Sequence, residues 1–242
     1  IGTSTLEASS YFILGNNELP TACTGNILTL VDYENYESGT LDTSNTRFRN
    51  LFFGCNSLTS APQLPATVLA DNCYFQMFVY CYNLKEIPEL PSTTLAKNCY
   101  ESMFYECTSL KEVEELPATI LADSCYYQMF VGCSNLEIVP ESLPATTLAE
   151  ASYAKMFKKC TSLTKTPQLP ATTLADYCYN EMFSECKGLT QAPELPATKL
   201  SYYCYFGMFS GCTSLVNAPA LPATTLTNGC YLQMFMDCRN LT

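Results

Sequence analysis

Beyond residue 46 the apolar positions of this chain follow one recurring pattern, Leu-Pro-Ala-Thr-Thr-Leu-Ala-x-x-Cys-Tyr-x-x-Met-Phe-x-x-Cys-x-x-Leu. The first cysteine falls at Cys73, Cys99, Cys125, Cys178, Cys204 and Cys230, and Ser152 holds its place in the fourth copy. The steps between these positions are 26, 26, 27, 26, 26 and 26 residues, the long step coming from an added residue near Ser142. The second cysteine keeps the same period at Cys81, Cys107, Cys133, Cys160, Cys186, Cys212 and Cys238, and so does the Met-Phe pair from Met77-Phe78 to Met234-Phe235. A weaker copy precedes these, with Phe48, Leu51, Phe52 and Cys55 standing for Tyr, Met, Phe and Cys.

A unit this short cannot enclose a core, so about seven units must stack and share one. Within a unit, Thr173-Leu174-Ala175-Asp176 has the form of a helix start with Thr173 as N-cap. Leu174, Cys178, Met182 and Cys186 then recur at intervals of four, with Phe183 beside them, which predicts one apolar helical stripe. Leu189–Ala192 reads as a short strand that Pro193 and Pro196 keep from lengthening. Parallel strands stack about 4.8 Å apart, whereas helix axes need about 8–10 Å. The expected fold is therefore a curved, right-handed α/β solenoid over residues 47–242, with strands on the concave side and short helices on the convex side. Residues 1–46 fall outside the repeat, and Tyr11–Leu14 and Asn26–Tyr33 look like strands of a β-rich capping segment. The array is expected to be incomplete at Asn240-Leu241-Thr242, where a new strand should begin. The opening Ile1-Gly2-Thr3 carries neither Met nor leader and reads as a trimmed product.

Composition narrows the function. With 12 basic and 23 acidic residues the net charge is −11, which disfavours nucleic acid and an anionic membrane surface. No apolar run approaches the roughly 20 residues of a membrane span. The chain has no His, which removes Ser-His-Asp and Cys-His nucleophile schemes and every His-ligated metal. It also lacks Trp, the aromatic best suited to stacking on sugars or cations. No calcium loop is present, so neither metal nor cofactor is expected.

Of the 15 cysteines, 12 form six Cys-x7-Cys pairs, unlike the close pairs that hold zinc. Eight residues along a helix would separate two Cα atoms by about 12 Å, beyond the roughly 7 Å that a disulfide spans, and neighbouring helices leave a similar gap. The cysteines are therefore read as small apolar residues in two buried ladders, with Cys23 unassigned. The tyrosine after each first cysteine, from Tyr74 to Tyr231, is read as packing between units. The variable Tyr80, Tyr82, Tyr105, Tyr127 and Tyr202 are the better surface candidates.

Carboxylates gather beside the repeated Leu-Pro, in one column at Glu89, Glu115, Glu141 and Glu194 and in another at Glu86 and Glu112. If they face outward on the strand side they form an acidic face, which reads either as a solvated polar surface or as a patch for binding a partner. Paired carboxylates also serve glycosidases, but such a site needs one acid set apart by its surroundings, and these recur as near-equivalent copies.

The motif Met182-Phe183-x-x-Cys186-x-x-Leu189, with Pro196 after the strand, resembles the BspA-like leucine-rich repeats of bacterial surface proteins over about residues 47–242. The resemblance implies a leucine-rich-repeat solenoid, outside the cytoplasm at the cell surface, that acts in adhesion and protein binding and brings no catalytic residues. Host or bacterial surface proteins or matrix are the partners it implies. The rival readings are a glycan-binding surface protein, marked by clustered surface tyrosines, and a glycoside- or peptide-processing enzyme, marked by a pocket of unlike carboxylates.

Overall fold

The computed structural model describes residues 20–30 and 48–242. The units stack as a repeat solenoid, each hydrogen-bonded to the next. Parallel pairing links successive coils: β1 (Thr21–Ala22) pairs with β2 (Leu58–Ser60). Parallel bridges recur at Thr94 with Ile120, Glu112 with Ile138, Thr147 with Thr173 and Gln191 with Asn217. The strand expected over Leu189–Ala192 is reduced to that last bridge. Pro193 and Pro196 lack an N–H to donate, which breaks the ladder almost as soon as it starts.

The expected helices do not form. Among the described residues there is no α-helix, and the Cys-Tyr-x-x-Met-Phe-x-x-Cys segment is a run of overlapping turns. Every second amide closes a turn three residues back, as Phe75 N–H to Asn72 O (3.3 Å), Met77 N–H to Tyr74 O (3.2 Å) and Cys81 N–H to Phe78 O (3.1 Å). The alternate amides cross to the next unit, as Tyr74 to Cys99 O (3.0 Å), Gln76 to Glu101 O (2.9 Å) and Phe78 to Met103 O (2.9 Å). This alternation satisfies the backbone without a helix.

Two physical reasons favour turns. A helix advances 100° per residue, so positions four apart drift by about 40° and the stripe would slide off its face within three repeats of the spacing. A four-residue turn repeat keeps every Met-Phe and Cys on one line. The paired strand segments also fix a pitch near 4.8 Å, which a helix about 10 Å across cannot match. The aromatic columns confirm one short pitch on the turn side. Phe52, Phe78, Phe104, Phe130, Phe157, Phe183, Phe209 and Phe235 stack at 5.3–5.8 Å between ring centroids. The tyrosine column does the same at 5.7–5.9 Å. The 8–10 Å helix spacing that was to bend the solenoid is therefore absent.

The turns have a conformational cost. Every fourth residue sits at positive φ, as Asn72 (61°), Gln76 (55°) and Tyr80 (62°) do in one unit. A side chain in that region costs roughly 1–2 kcal/mol, and in every unit before the last the amide of such a residue repays part of it by donating to the next unit. Thr173, expected as an N-cap, lies in a strand-like bridge to Thr147. Asp176, expected inside a helix, instead accepts the Tyr202 amide of the next unit at 3.0 Å.

The core is one continuous column, lined by the Leu, Cys, Tyr, Met and Phe positions. At the N-terminal end, residues 20–30 lay a further rung on the first unit, with Ile27 N–H donating to Gln63 O (3.1 Å) and Ile27 and Leu28 buried. Ile27–Leu30 is a 3-10 helix rather than the expected strand, its first turn held by the Asn26 side chain accepting the Leu28 amide. Tyr11–Leu14 and residues 31–33 lie outside the described residues.

Candidate functional site

The Pro-rich side holds its carboxylates between inward-pointing apolar residues. Leu84, Leu90, Val113 and Leu116 point into the core, which leaves Glu86, Glu89, Glu112, Glu114 and Glu115 on the surface. The Val113 amide donates to Ile138 O at 3.0 Å and holds that register. These five carboxylates surround one open groove of about 550 Å³, walled by Pro88, Pro91 and Pro117. Among the described residues none of the five is in an ion pair; the two ion pairs found, Lys158 with Glu181 and Lys159 with Glu185, lie elsewhere.

Four of the six carboxylates singled out in the sequence thus come together, and two do not. Glu141 is exposed on the following unit, where its carbonyl accepts the Gln168 amide at 2.8 Å. Glu194 lines a separate groove of about 480 Å³ with Thr166, Gln168 and Pro193. Glu114 was missed, although the sequence carried a signal: every other unit places proline in that column, from Pro62 and Pro88 to Pro193 and Pro219. Glu114 is the one departure, and it faces the groove.

The cysteines occupy the interior, and all fifteen thiols are free. Burial pushes Cys125 and Cys212 up to about 12, because the thiolate would be stripped of solvent. The second cysteine has a specific partner in each unit: Cys81 Sγ donates to Phe52 O and Cys107 Sγ to Phe78 O, both at 3.1 Å. Cys23 is half-buried at the first rung, beside the core, with its thiol raised by burial and by Cys55. Among the described residues no three His, Cys, Asp or Glu side chains converge to hold a metal ion.

The turn face carries two outward aromatic clusters. Tyr80 contacts Phe53, Tyr82 and Tyr105 at 5.6–5.9 Å. Farther along, Tyr202 and Tyr203 lie 4.4 Å apart and both contact Tyr177. A groove of about 430 Å³ opens beside this second cluster, lined by Tyr127, Ala151, Ala154, Lys155, Tyr177 and Tyr203 among others. The surface tyrosines expected from sequence are therefore outside the core, and Tyr177 and Tyr203 join them.

No family model matches the chain, and no curated protein matches it in sequence. Solved structures that match include a leucine-rich repeat protein from Bacteroides ovatus ATCC 8483, 18% identical with a TM-score of 0.34, over 70% of this chain and 57% of the other. A leucine-rich repeat protein of T. pallidum is 19% identical with a TM-score of 0.33, over 76% of this chain and 67% of its own. A leucine-rich cell surface protein from Faecalibacterium prausnitzii A2-165 is 16% identical with a TM-score of 0.32, over 91% and 75%. All three are bacterial leucine-rich-repeat proteins, and this chain spans little more than half the length of the Bacteroides protein. At these values the solenoid assignment rests on the rungs described above. No helix among the described residues is long and apolar enough to cross a membrane.

Proposed function

We propose that this chain is a leucine-rich-repeat, adhesin-like binding protein of the bacterial cell surface, outside the cytoplasm, that recognises a basic protein or matrix segment through its Pro-walled acidic face. The observation that supports this most is the gathering around one groove of five carboxylates with no ion-pair partner among the described residues. Such a face attracts a cationic partner and speeds its approach. An extended basic segment fits the groove, since rigid proline walls lose little freedom when they bind.

Catalysis is not proposed. All five carboxylates are exposed, and none is set apart as a general acid must be.

The test replaces Glu86, Glu89, Glu112 and Glu115 together by Gln and measures binding to an array of basic peptides and matrix proteins across a range of salt. Binding should weaken and its salt dependence flatten while thermal stability holds, because no core position changes. Unchanged binding to the same partners at low salt would reduce the acidic face to a solvated surface.

A further inference from the structure

The second aromatic cluster stands beside a notch in the outer columns of the turn face. In the column after the stacked tyrosine, Tyr127 and Asn180 flank Ala154. In the left-handed column, Tyr177 and Tyr203 follow Ala151. Two alanines in one unit thus lower the surface by a side chain, with rings rising on either side of the step.

We infer that this notch is a subsite for a saccharide that carries a carboxylate. Tyr177 and Tyr203 stack on each other across two units, but the interior column through Tyr153, Tyr179 and Tyr205 already joins those units, so the outer pair is not required for stacking. They also replace polar residues: the column that holds Tyr177 and Tyr203 carries Asn72, Asn98 and Ser124 in earlier units. Asn tolerates positive φ better than a bulky side chain does, so Tyr177 (57°) and Tyr203 (52°) are disfavoured by their own backbone. Tyr177 and Tyr203 stack at 5.7 Å, and Phe206 lies 5.3 Å from Tyr203, which makes one half-buried aromatic cluster. Tyr177 is the ring of this stack next to Ala151, and a π face on that side can meet the C–H face of a pyranose ring.

Charge selects the class of sugar. Glu181 at the notch is held by Lys158. Lys155 is in no ion pair among the described residues and lies with its Nζ 5.9 Å from the Tyr127 ring. The uncompensated charge at the notch is therefore positive, in a protein of net charge −11. That ammonium repels a cationic guest, which otherwise suits an aromatic cage, and pairs with a carboxylate on the sugar. The Asn180 amide at the rim can donate to and accept from hydroxyls. The volume of about 430 Å³ falls in the range of small-ligand sites.

The repeat itself supplies variants that should fold. Tyr177→Asn and Tyr203→Asn copy Asn72, Lys155→Gln copies Gln128, and Ala154→Tyr copies Tyr127. The test titrates purified protein with uronate oligosaccharides (galacturonate, mannuronate and glucuronate types), sialyllactose and the methyl esters of each, with thermal midpoints recorded alongside. Wild type should bind at least one acidic oligosaccharide, and its methyl ester about tenfold more weakly, the loss of one charged hydrogen bond. Lys155→Gln should bring the acid down to the level of the ester. Tyr177→Asn, Tyr203→Asn and Ala154→Tyr should each weaken acid and ester alike by about tenfold or more. The fourfold Glu variant of the opposite groove should bind the acid as wild type does, which separates this site from the acidic face. The inference is overturned if wild type binds no acidic member of the panel at millimolar concentration, if it binds acid and ester equally, or if the Asn and Tyr variants keep wild-type binding.

Discussion

The thiol of Cys133 donates to the carbonyl oxygen of Phe104, one unit earlier, at 3.1 Å. The same bond recurs at 3.0–3.2 Å for Cys160 to Phe130, Cys186 to Phe157 and Cys212 to Phe183. That carbonyl also closes the local turn by accepting the Cys133 amide's counterpart in its own unit, Cys107 N–H, at 3.1 Å. The second cysteine is thus a small apolar side chain that also donates, which explains why the column never drifts to Ala or Val. The first cysteine column does admit Ser152.

Stability should fall in alkali. Cys125 and Cys212 are raised from 9.0 to about 12 by burial, so their folded forms hold a proton that the unfolded chain gives up above pH 9. Their contribution is complete below that pH and is lost as pH rises towards 12, by about 1.4 kcal/mol per pH unit for each such thiol. Thermal melts between pH 7 and 11 check this, and a flat profile above pH 9 would contradict it. Native protein should react slowly with thiol reagents, and denatured protein should titrate all 15 free.

Ala151→Gly separates turns from helices. In a helix the change would cost about 1 kcal/mol. Here Ala151 has φ 51°, where only glycine is unstrained, so the variant should gain up to about 1 kcal/mol. Chemical denaturation of the two proteins side by side gives the sign.

Ser152→Cys should also stabilise. Ser152 Oγ is buried and has no hydrogen-bond partner, and an unmet buried hydroxyl costs about 1–3 kcal/mol. Cysteine is what the other units carry there. A melting midpoint no higher than wild type would mean that the hydroxyl finds a partner in solution, such as a bound water.

The period was legible in the sequence, and so was the inside of the stack. Met182, Phe183, Cys186 and Leu189 are all buried, as their spacing required. The local conformation was misread because a step of four lies close enough to 3.6 to pass for a helix over one unit. The sharper signal was Cys-Tyr followed at four by Met-Phe, two adjacent inward residues per step with no drift, which a turn repeat gives and a helix does not. The glycines at 54, 132, 207 and 211 marked the left-handed positions directly. The acidic groove was half legible: Glu86, Glu89, Glu112 and Glu115 were found by column, but Glu114 stands in a proline column and was passed over. The notch at Ala151 and Ala154 had no sequence signal of its own, since small residues count as a site only once their neighbours are known to rise beside them.

Glu114→Pro tests the acidic face without disturbing the fold. Units before and after carry proline in this column, at Pro88 and Pro140, so the backbone there accommodates a fixed φ and a missing N–H. Where the native conformation suits it, proline narrows the unfolded ensemble and stabilises by about 0.4–1 kcal/mol. The variant should therefore melt at or above the wild-type midpoint. It also removes one of five carboxylates from the groove of about 550 Å³, so a basic partner should bind more weakly and with a shallower salt dependence. The two effects run in opposite directions, and that makes the variant informative. Lower affinity with higher stability assigns Glu114 to recognition, since a residue kept for folding could not be lost at a gain. Raised stability with unchanged affinity for every basic partner bound by wild type would place the binding surface away from this groove.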